Sequence, residues 1–296
     1  MTSVTPVDIL CFGEPMFEFS WIDKDTIHPG IGGDAANTAV AAHRAGATAG
    51  VLTHLGTDGF GDHILEFFAE EGLDTSRVQQ SEAAPTGLYF IEYGPDGHRF
   101  SYRRAGSAAS QIQPGDFDEN MFNNISFLHF SGITQAISPS SCAATLRAAE
   151  FARNAGARVS FDTNLRLNLW TAEKARAAML KTLPLTDIVF PSVEDAEALL
   201  GTTSSDEICD YFLNAGVDLV VLTLGEDGAV VADKNAVTAI DPVPAKLVDA
   251  TGAGDTFDGA FLAEMSRGSD PVTSARFACA AASRCVEHVG AMQKRT

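Results

Sequence analysis

Apolar residues along the chain fall into two periods, and the switches between them outline the fold. The unbroken run Ile9-Leu10-Cys11-Phe12-Gly13 reads as a buried first strand. Gly50 to Gly56, Phe127 to Phe130, Arg158 to Asp162, Asp187 to Pro191 and Asp218 to Thr223 have the same strand character. Phe127 to Phe130 continues through Ser131 and Gly132 into an expected loop. Between these runs the spacing becomes helical. Ile64 to Glu71 stops at Gly72, Ser141 to Ala155 stops at Gly156, and Phe257 to Met265 stops at Gly268. This alternation predicts a parallel sheet covered by helices on both faces.

One region breaks the alternation. Thr86 to Tyr93 and His98 to Arg103 flank Gly94-Pro95-Asp96-Gly97, a hairpin signal. Glu14 to Ile27 also reads as extended. Together they predict a small antiparallel sheet that covers the active face of the main fold as a lid. No linker interrupts the chain, so the expectation is a single domain over residues 1–296, with lid strands from about 14–30 and 86–104.

The most informative segment is Asp249-Ala250-Thr251-Gly252-Ala253-Gly254-Asp255-Thr256-Phe257-Asp258. Three small residues lead directly into a helix. A helix start offers unpaired N–H groups and the positive end of the helix dipole, which favour an anion. Without bulky side chains the backbone can approach a phosphate closely. A carboxylate at that spot repels phosphate unless it faces the group that attacks it. The segment therefore points to phosphoryl transfer, with Asp255 as base and the amides of Gly252, Ala253 and Gly254 as an oxyanion site. The plainer alternative makes Asp255 a helix N-cap. A Walker loop is excluded, since no Gly-x-x-x-x-Gly-Lys-Ser/Thr occurs. A dinucleotide fingerprint fails because Phe257 stands where the third glycine belongs.

Composition narrows the partners. The 296 residues carry a formal net charge of −19, which argues against nucleic acid and anionic membrane. No apolar run approaches a membrane span. Met1 to Asp8 lacks the basic start and apolar core of a signal peptide. Five scattered cysteines without zinc-ligand spacing read as buried reduced thiols, so the cytoplasm is the expected compartment. The seven histidines form no cluster, and no transition-metal site is expected.

Four further stretches carry candidate chemistry. Gly30-Ile31-Gly32-Gly33-Asp34-Ala35-Ala36-Asn37-Thr38 runs into an alanine-rich helix ending at Gly46. Asp34 reads either as an N-cap or, sharing a face with Asn37, as an acceptor for polyol hydroxyls. Tyr102-Arg103-Arg104 stands out in so acidic a chain. It is either a solvated hairpin edge or a carboxylate-recognition site. Asp162-Thr163-Asn164-Leu165-Arg166 follows a strand, at the sheet edge where ligands of open α/β sheets bind. Thr223-Leu224-Gly225-Glu226-Asp227-Gly228 also follows a strand and by itself reads as a hairpin turn into Ala229 to Ala232.

In this order, the stretches resemble the ribokinase (PfkB-type) family of carbohydrate kinases over nearly the whole chain. Gly32-Gly33-Asp34-Ala35-Ala36-Asn37 is similar to the family's first signature, and Asp249 to Phe257 to its more specific second one. The resemblance implies a three-layer α/β/α sandwich with a mostly parallel central sheet and a small β-strand lid. It also implies ATP as donor, Mg²⁺ as cofactor and a sugar or nucleoside hydroxyl as acceptor. Within the family the chain is most similar to the 2-keto-3-deoxygluconate kinases. That likeness rests on Gly87-Leu88-Tyr89, Tyr102 to Ser110, His129 to Ile133, and Phe161 to Arg166 with Leu169-Trp170. It implies that Gly33, Asp34, Ala35, Ala36, Asn37, Tyr89, Tyr102, Arg103, Arg104, Arg166 and Asp255 serve the substrate. Asn164, Leu165 and Arg166, Thr223 to Gly228 (Thr223, Leu224, Gly225, Glu226, Asp227, Gly228), and Gly252, Ala253 and Gly254 would serve ATP. Where the family commonly shows Asn-x-x-Glu, this chain has Ser192-Val193-Glu194-Asp195. Asp195 is thus the expected Mg²⁺-handling residue, with Glu194 as the alternative.

The expected mechanism follows. Asp255, at an ordinary carboxylate pKa, accepts the proton of the acceptor hydroxyl as the phosphoryl group transfers. The Gly252–Gly254 amides stabilise the charge that develops, and losing one such donor typically costs about 3 kcal/mol. Arg166 bridges substrate and nucleotide, and the lid with Tyr89 and Tyr102 closes over a sugar acid. An exposed lid sheet invites a homo-oligomer through its outer face. The rival readings are a fructokinase, a sugar-binding sensor that kept the fold, and a nucleotide-dependent oxidoreductase.

Overall fold

The computed structural model describes residues 5–94 and 97–292. The hairpin tip Pro95-Asp96 lies outside the described residues. In chain order the elements are β1 (Val7–Phe12), β2 (Met16–Trp21), β3 (Ile27–Gly32), α1 (Asp34–Arg44), β4 (Ala49–Gly56), α2 (Gly59–Glu71) and β5 (Val78–Ser81). Then come β6 (Leu88–Gly94), β7 (Gly97–Arg103), β8 (Ile125–Ser131), α3 (Gly132–Ala136), α4 (Pro139–Asn154), β9 (Arg158–Asp162) and α5 (Ala172–Thr182). The chain closes with β10 (Ile188–Phe190), α6 (Val193–Leu200), α7 (Ser205–Asn214), β11 (Leu219–Thr223), β12 (Ala229–Ala232), β13 (Val237–Ile240), α8 (Ala253–Ser266) and α9 (Pro271–Cys285).

Nine strands form the main sheet in the order β13-β12-β11-β10-β9-β8-β1-β4-β5. The run from β11 to β5 is parallel, and β12 pairs antiparallel with both its neighbours. The apolar runs are unbroken because each strand is buried on both sides. Leu10 and Phe12 of β1 join a core with α4 to α7, while Ile9 and Cys11 join one with α1, α2, α8 and α9. Burying each such large side chain stabilises the fold by about 1.5–3 kcal/mol. The three layers are therefore two helical faces around one sheet.

Helix ends follow the glycine signals. Gly72 ends α2 in the left-handed region at φ 81°, where an L side chain is disfavoured. One expected loop is a helix instead. After β8, Ser131 caps α3 by accepting from the Ile133 N–H at 3.0 Å, and five residues are too few to show a helical period.

The lid is a second sheet of order β3-β2-β6-β7. It was expected to be antiparallel and is mixed. The hairpins β2–β3 and β6–β7 are antiparallel, but they meet through the parallel pair β2–β6. One lid face carries Phe17, Phe19 and Phe90, and Phe17 and Phe19 pack on Phe60 of α2. Residues of the opposite face reach the cavity described next.

Candidate active site

A cavity of about 600 Å³ opens at the C-terminal ends of β9, β10 and β11, beneath the lid. Its floor is the start of α8. Gly252 is the N-cap, at φ 75°, and a side chain there would meet Ala291 Cβ at 2.3 Å. The first α8 bond found runs from Thr256 N–H to Gly252 O at 2.8 Å. The Ala253 N–H closes a turn onto Ala250 O at 3.2 Å. Gly254 is exposed in the first turn of α8, where a helix N–H lacks an intrahelical acceptor, so its amide can meet an approaching anion. Asp249 braces the approach. Its carboxylate accepts from Thr251 N–H at 2.9 Å and from Gly290 N–H at 2.8 Å.

Asp255 lies in the first turn of α8 and not at the cap. Its Oδ2 accepts from Asn37 Nδ2 at 2.7 Å. Asp34 is likewise not a cap: Gly33 is, at φ 112°, and Asp34 accepts from Ser131 Oγ. Burial first, then the neighbouring Asp34, raise the Asp255 carboxyl to about 7, against the Asn37 hydrogen bond and Arg166. The expectation of an ordinary carboxylate fails here, because the Asp255 carboxyl is buried beside the Asp34 charge; Asp162, Asp195 and Asp258 line the same cavity. Burial, then Asp195 and Asp255, raise Asp162, and burial with Asp162 and Asp255 raises Asp258.

The loop after β9 is shaped by Asp195. Its Oδ2 accepts from Thr163 Oγ1 at 2.7 Å and from Leu165 N–H at 3.0 Å. Asn164 is held at φ 28°, a region few non-glycine residues adopt. The loop delivers Arg166 to the cavity, where its Nη1 donates to Leu165 O at 2.9 Å and no ion pair forms among the described residues. Ser192 caps α6 by accepting from Asp195 N–H at 3.0 Å.

The lid wall shows the period of a strand. Phe100, Tyr102 and Arg104 line the cavity, and Arg103 points the other way, exposed, donating to its neighbour Tyr102 O at 3.0 Å. Arg104 is buried and is not a free cation. Its Nε donates to Glu14 Oε2 at 2.7 Å, and Nη2 lies 2.5 Å from the same oxygen. A buried guanidinium requires a counter-charge, and Glu14 is that charge. Burial outweighs Arg104 and Ser107 and leaves the Glu14 carboxyl raised. Tyr89 donates to Glu18, and its ring lies 6.2 Å from that of Tyr102.

Of the residues singled out in the sequence, the cavity brings together Gly33, Asp34, Asn37, Tyr89, Tyr102, Arg104, Asn164, Arg166, Asp195, Thr223 and Gly252 to Asp255. Ala35 and Ala36 are buried in the core of α1, Leu165 is buried, and Leu224 to Gly228 lie beyond the lining. Sequence reasoning missed Phe100, Glu14 and Asp258. Strand alternation from Tyr102 points to Phe100, and helical spacing from Asp255 points to Asp258. Glu14 had no local signal.

Amides that welcome an anion and a carboxylate that repels one serve a common purpose where an alcohol meets a phosphoryl group, and such a site under a lid belongs to a kinase of small hydroxyl compounds. The chain belongs to the pfkB family of carbohydrate kinases, whose profile matches residues 8–296. It is 32% identical to the 2-dehydro-3-deoxygluconokinase of Thermoproteus tenax over 95% of this chain and 88% of that protein. It is 31% identical to the probable fructokinase-4 of Arabidopsis thaliana over 87% of this chain and 82% of that one. In structure it is similar to a putative ribokinase II from Escherichia coli in complex with ATP and Mg²⁺. The TM-score is 0.87 at 26% identity, covering 96% of this chain and 94% of that one. No helix among the described residues is long and apolar enough to cross a membrane.

Proposed function

We propose that this protein transfers the γ-phosphoryl group of ATP to a hydroxyl of 2-keto-3-deoxygluconate, giving the 6-phosphate. The relatives similar in sequence include both a sugar-acid kinase and a fructokinase at nearly equal identity, so the site must decide. The observation that carries the reading is two guanidinium groups, Arg104 and Arg166, in one cavity of a protein with net charge −19. A neutral sugar does not require them. Fructose is the second reading, because Glu14 already matches the charge of Arg104.

Asp255 accepts the proton of the acceptor hydroxyl as the O–P bond forms. The first-turn amide of Gly254 faces the charge that develops on the transferring group. Arg166 serves both the sugar-acid and the phosphate ends. Tyr89 and Tyr102 close the lid over the substrate and shut out water. The residues fit a Mg²⁺ ion that arrives with the nucleotide: among the described residues no three side chains are arranged to hold a metal ion by themselves, and such ions take one or two carboxylates plus phosphates. Asp195 would hold it, since its hydrogen bonds engage Oδ2 only. Bound Mg²⁺ neutralises phosphate charge. The same reading takes the chain as one kinase domain of the cytoplasm. It assembles through the lid, where Ile22 and Ile27 are exposed.

ATP turnover on a panel of 2-keto-3-deoxygluconate, its galactonate epimer, fructose, ribose and nucleosides tests the proposal. The highest kcat/KM is expected for a 2-keto-3-deoxy acid. A higher value for fructose transfers the assignment to the second reading, and no turnover on any compound leaves a sensor.

A further inference from the structure

Asn37 and Asp255 stand 218 residues apart, yet their side chains meet at 2.7 Å. The contact is built by helix packing. Gly259 lies one turn beyond Asp255 on α8, and a Cβ there would meet Thr38 O at 2.4 Å and Ala42 N at 2.8 Å. Only a glycine lets α8 approach α1 so closely, and that approach sets the level of Asn37 against Asp255. Both elements are buried alongside one another, with Asn37 only 8% exposed.

We propose that Asn37 is a positioning residue for the base: its amide N–H pins one oxygen of Asp255 and leaves the other to take the proton of the acceptor hydroxyl. This rests on the kinase reading above. An amide suits the task. It donates to an ionised carboxylate, which can only accept, and it adds no charge that would compete with Arg166. Its own Oδ1 is buried without a hydrogen-bond partner, so the amide's one bond found is the one to the base.

The charges around Asp255 explain why it needs such a partner. Burial and the like charge of Asp34 on α1 hold its proton on, and its own charge in turn helps to raise Asp162 on β9 and Asp258 on α8. Cys11 of β1 and Cys285 of α9 also sense its charge, and both are thiols held protonated by burial. Among the described residues, the Asn37 amide and Arg166 favour the ionised form. Without the amide, the base holds its proton to higher pH and loses its fixed orientation.

The test follows kcat/KM against pH together with the carboxyl NMR titration of ¹³C-aspartate-labelled protein, with Asp255→Asn to assign the signal. In Asn37→Ala, the acid limb and the carboxyl midpoint are both expected to rise by roughly half to one pH unit. Turnover at about pH 6 should fall about three- to tenfold and recover in mild alkali. Asn37→Asp keeps the shape and guards against misfolding. It should move the midpoint further, because two carboxylates in contact share one proton. An unmoved midpoint in both variants, with KM raised alike at every pH, overturns the proposal and leaves Asn37 a substrate ligand alone. The carboxyl titration needs no turnover, so it decides the Asn37–Asp255 pairing even if the substrate panel sinks the kinase reading.

Discussion

The two ends of the cavity treat buried charge in opposite ways. At the lid end the buried charges have a local answer. Arg104 is matched by Glu14, which also accepts from Ser107, and Tyr89 is held by Glu18. At the floor, Asp34, Asp162, Asp255 and Asp258 crowd together with Asp195 nearby in the same cavity, and the Asp258 Oδ2 has no hydrogen-bond partner. The lid end is arranged as a stable structure would be. The floor is arranged against stability, and strongly perturbed groups gather where chemistry is done. The comparison implies that mutations at the floor act on turnover and those at the lid end act on stability and substrate choice.

The sharpest break in the comparison is at Asp255. Asp255→Asn should retain binding of both substrates and lose about 10²–10⁴-fold in kcat, the range expected for removing a general base. Steady-state kinetics with calorimetric binding of ATP separates the two quantities. A near-normal kcat would remove Asp255 from the chemistry.

Next in size is the lid end. Arg104→Ala strands Glu14 in the core and should cost about 3–5 kcal/mol of unfolding free energy, because a buried charge loses its partner. Denaturant unfolding measures it. Pairing the change with Glu14→Gln should recover much of the loss. In the surviving folded enzyme, KM should rise more for a sugar acid than for its neutral analogue. Equal rises would show that Arg104 holds the wall and does not read the carboxylate.

The third test is pH. The base must be ionised, and its carboxyl is raised to about 7. Activity is therefore present above that value and lost as pH falls through it. The kcat/KM of the free enzyme should fall about tenfold per unit below about pH 6. An acid limb centred near pH 4, the ordinary carboxylate range, would mean that the crowding at the floor is relieved in solution.

What could be read from the sequence divides along the same line. The two-faced strands, the glycine stops at Gly72 and Gly156, and the anion-binding start of α8 are local patterns, visible within a dozen residues. The lid hairpins were legible, but their parallel junction was not, because β2 and β6 are separated by the whole stretch from β3 to β5. Tyr102 and Arg104 were legible as chemistry. The counter-charge of Arg104 was not, since Glu14 lies 90 residues earlier and only the fold brings it near. The raised carboxyl of Asp255 was hidden for the same reason: its burial is made by the packed fold, and Asp34 arrives from another element. Charge state is a property of the packed site, and no window along the chain contains it.

The smallest effect is expected one residue from one of the largest. Arg103 and Arg104 are adjacent in a motif that reads as one basic patch, but a strand turns neighbouring side chains to opposite faces. Arg103 is exposed, bonded only to the Tyr102 carbonyl among the described residues, and absent from the cavity wall. Arg103→Ala should therefore change stability by less than about 0.5 kcal/mol, as surface substitutions usually do. It should leave KM for the sugar acid unchanged while Arg104→Ala raises it. Measuring both variants on one substrate isolates the face of the strand from the charge itself. If Arg103→Ala raised KM as much as Arg104→Ala, the lid would have to close with the opposite face of β7 toward the substrate.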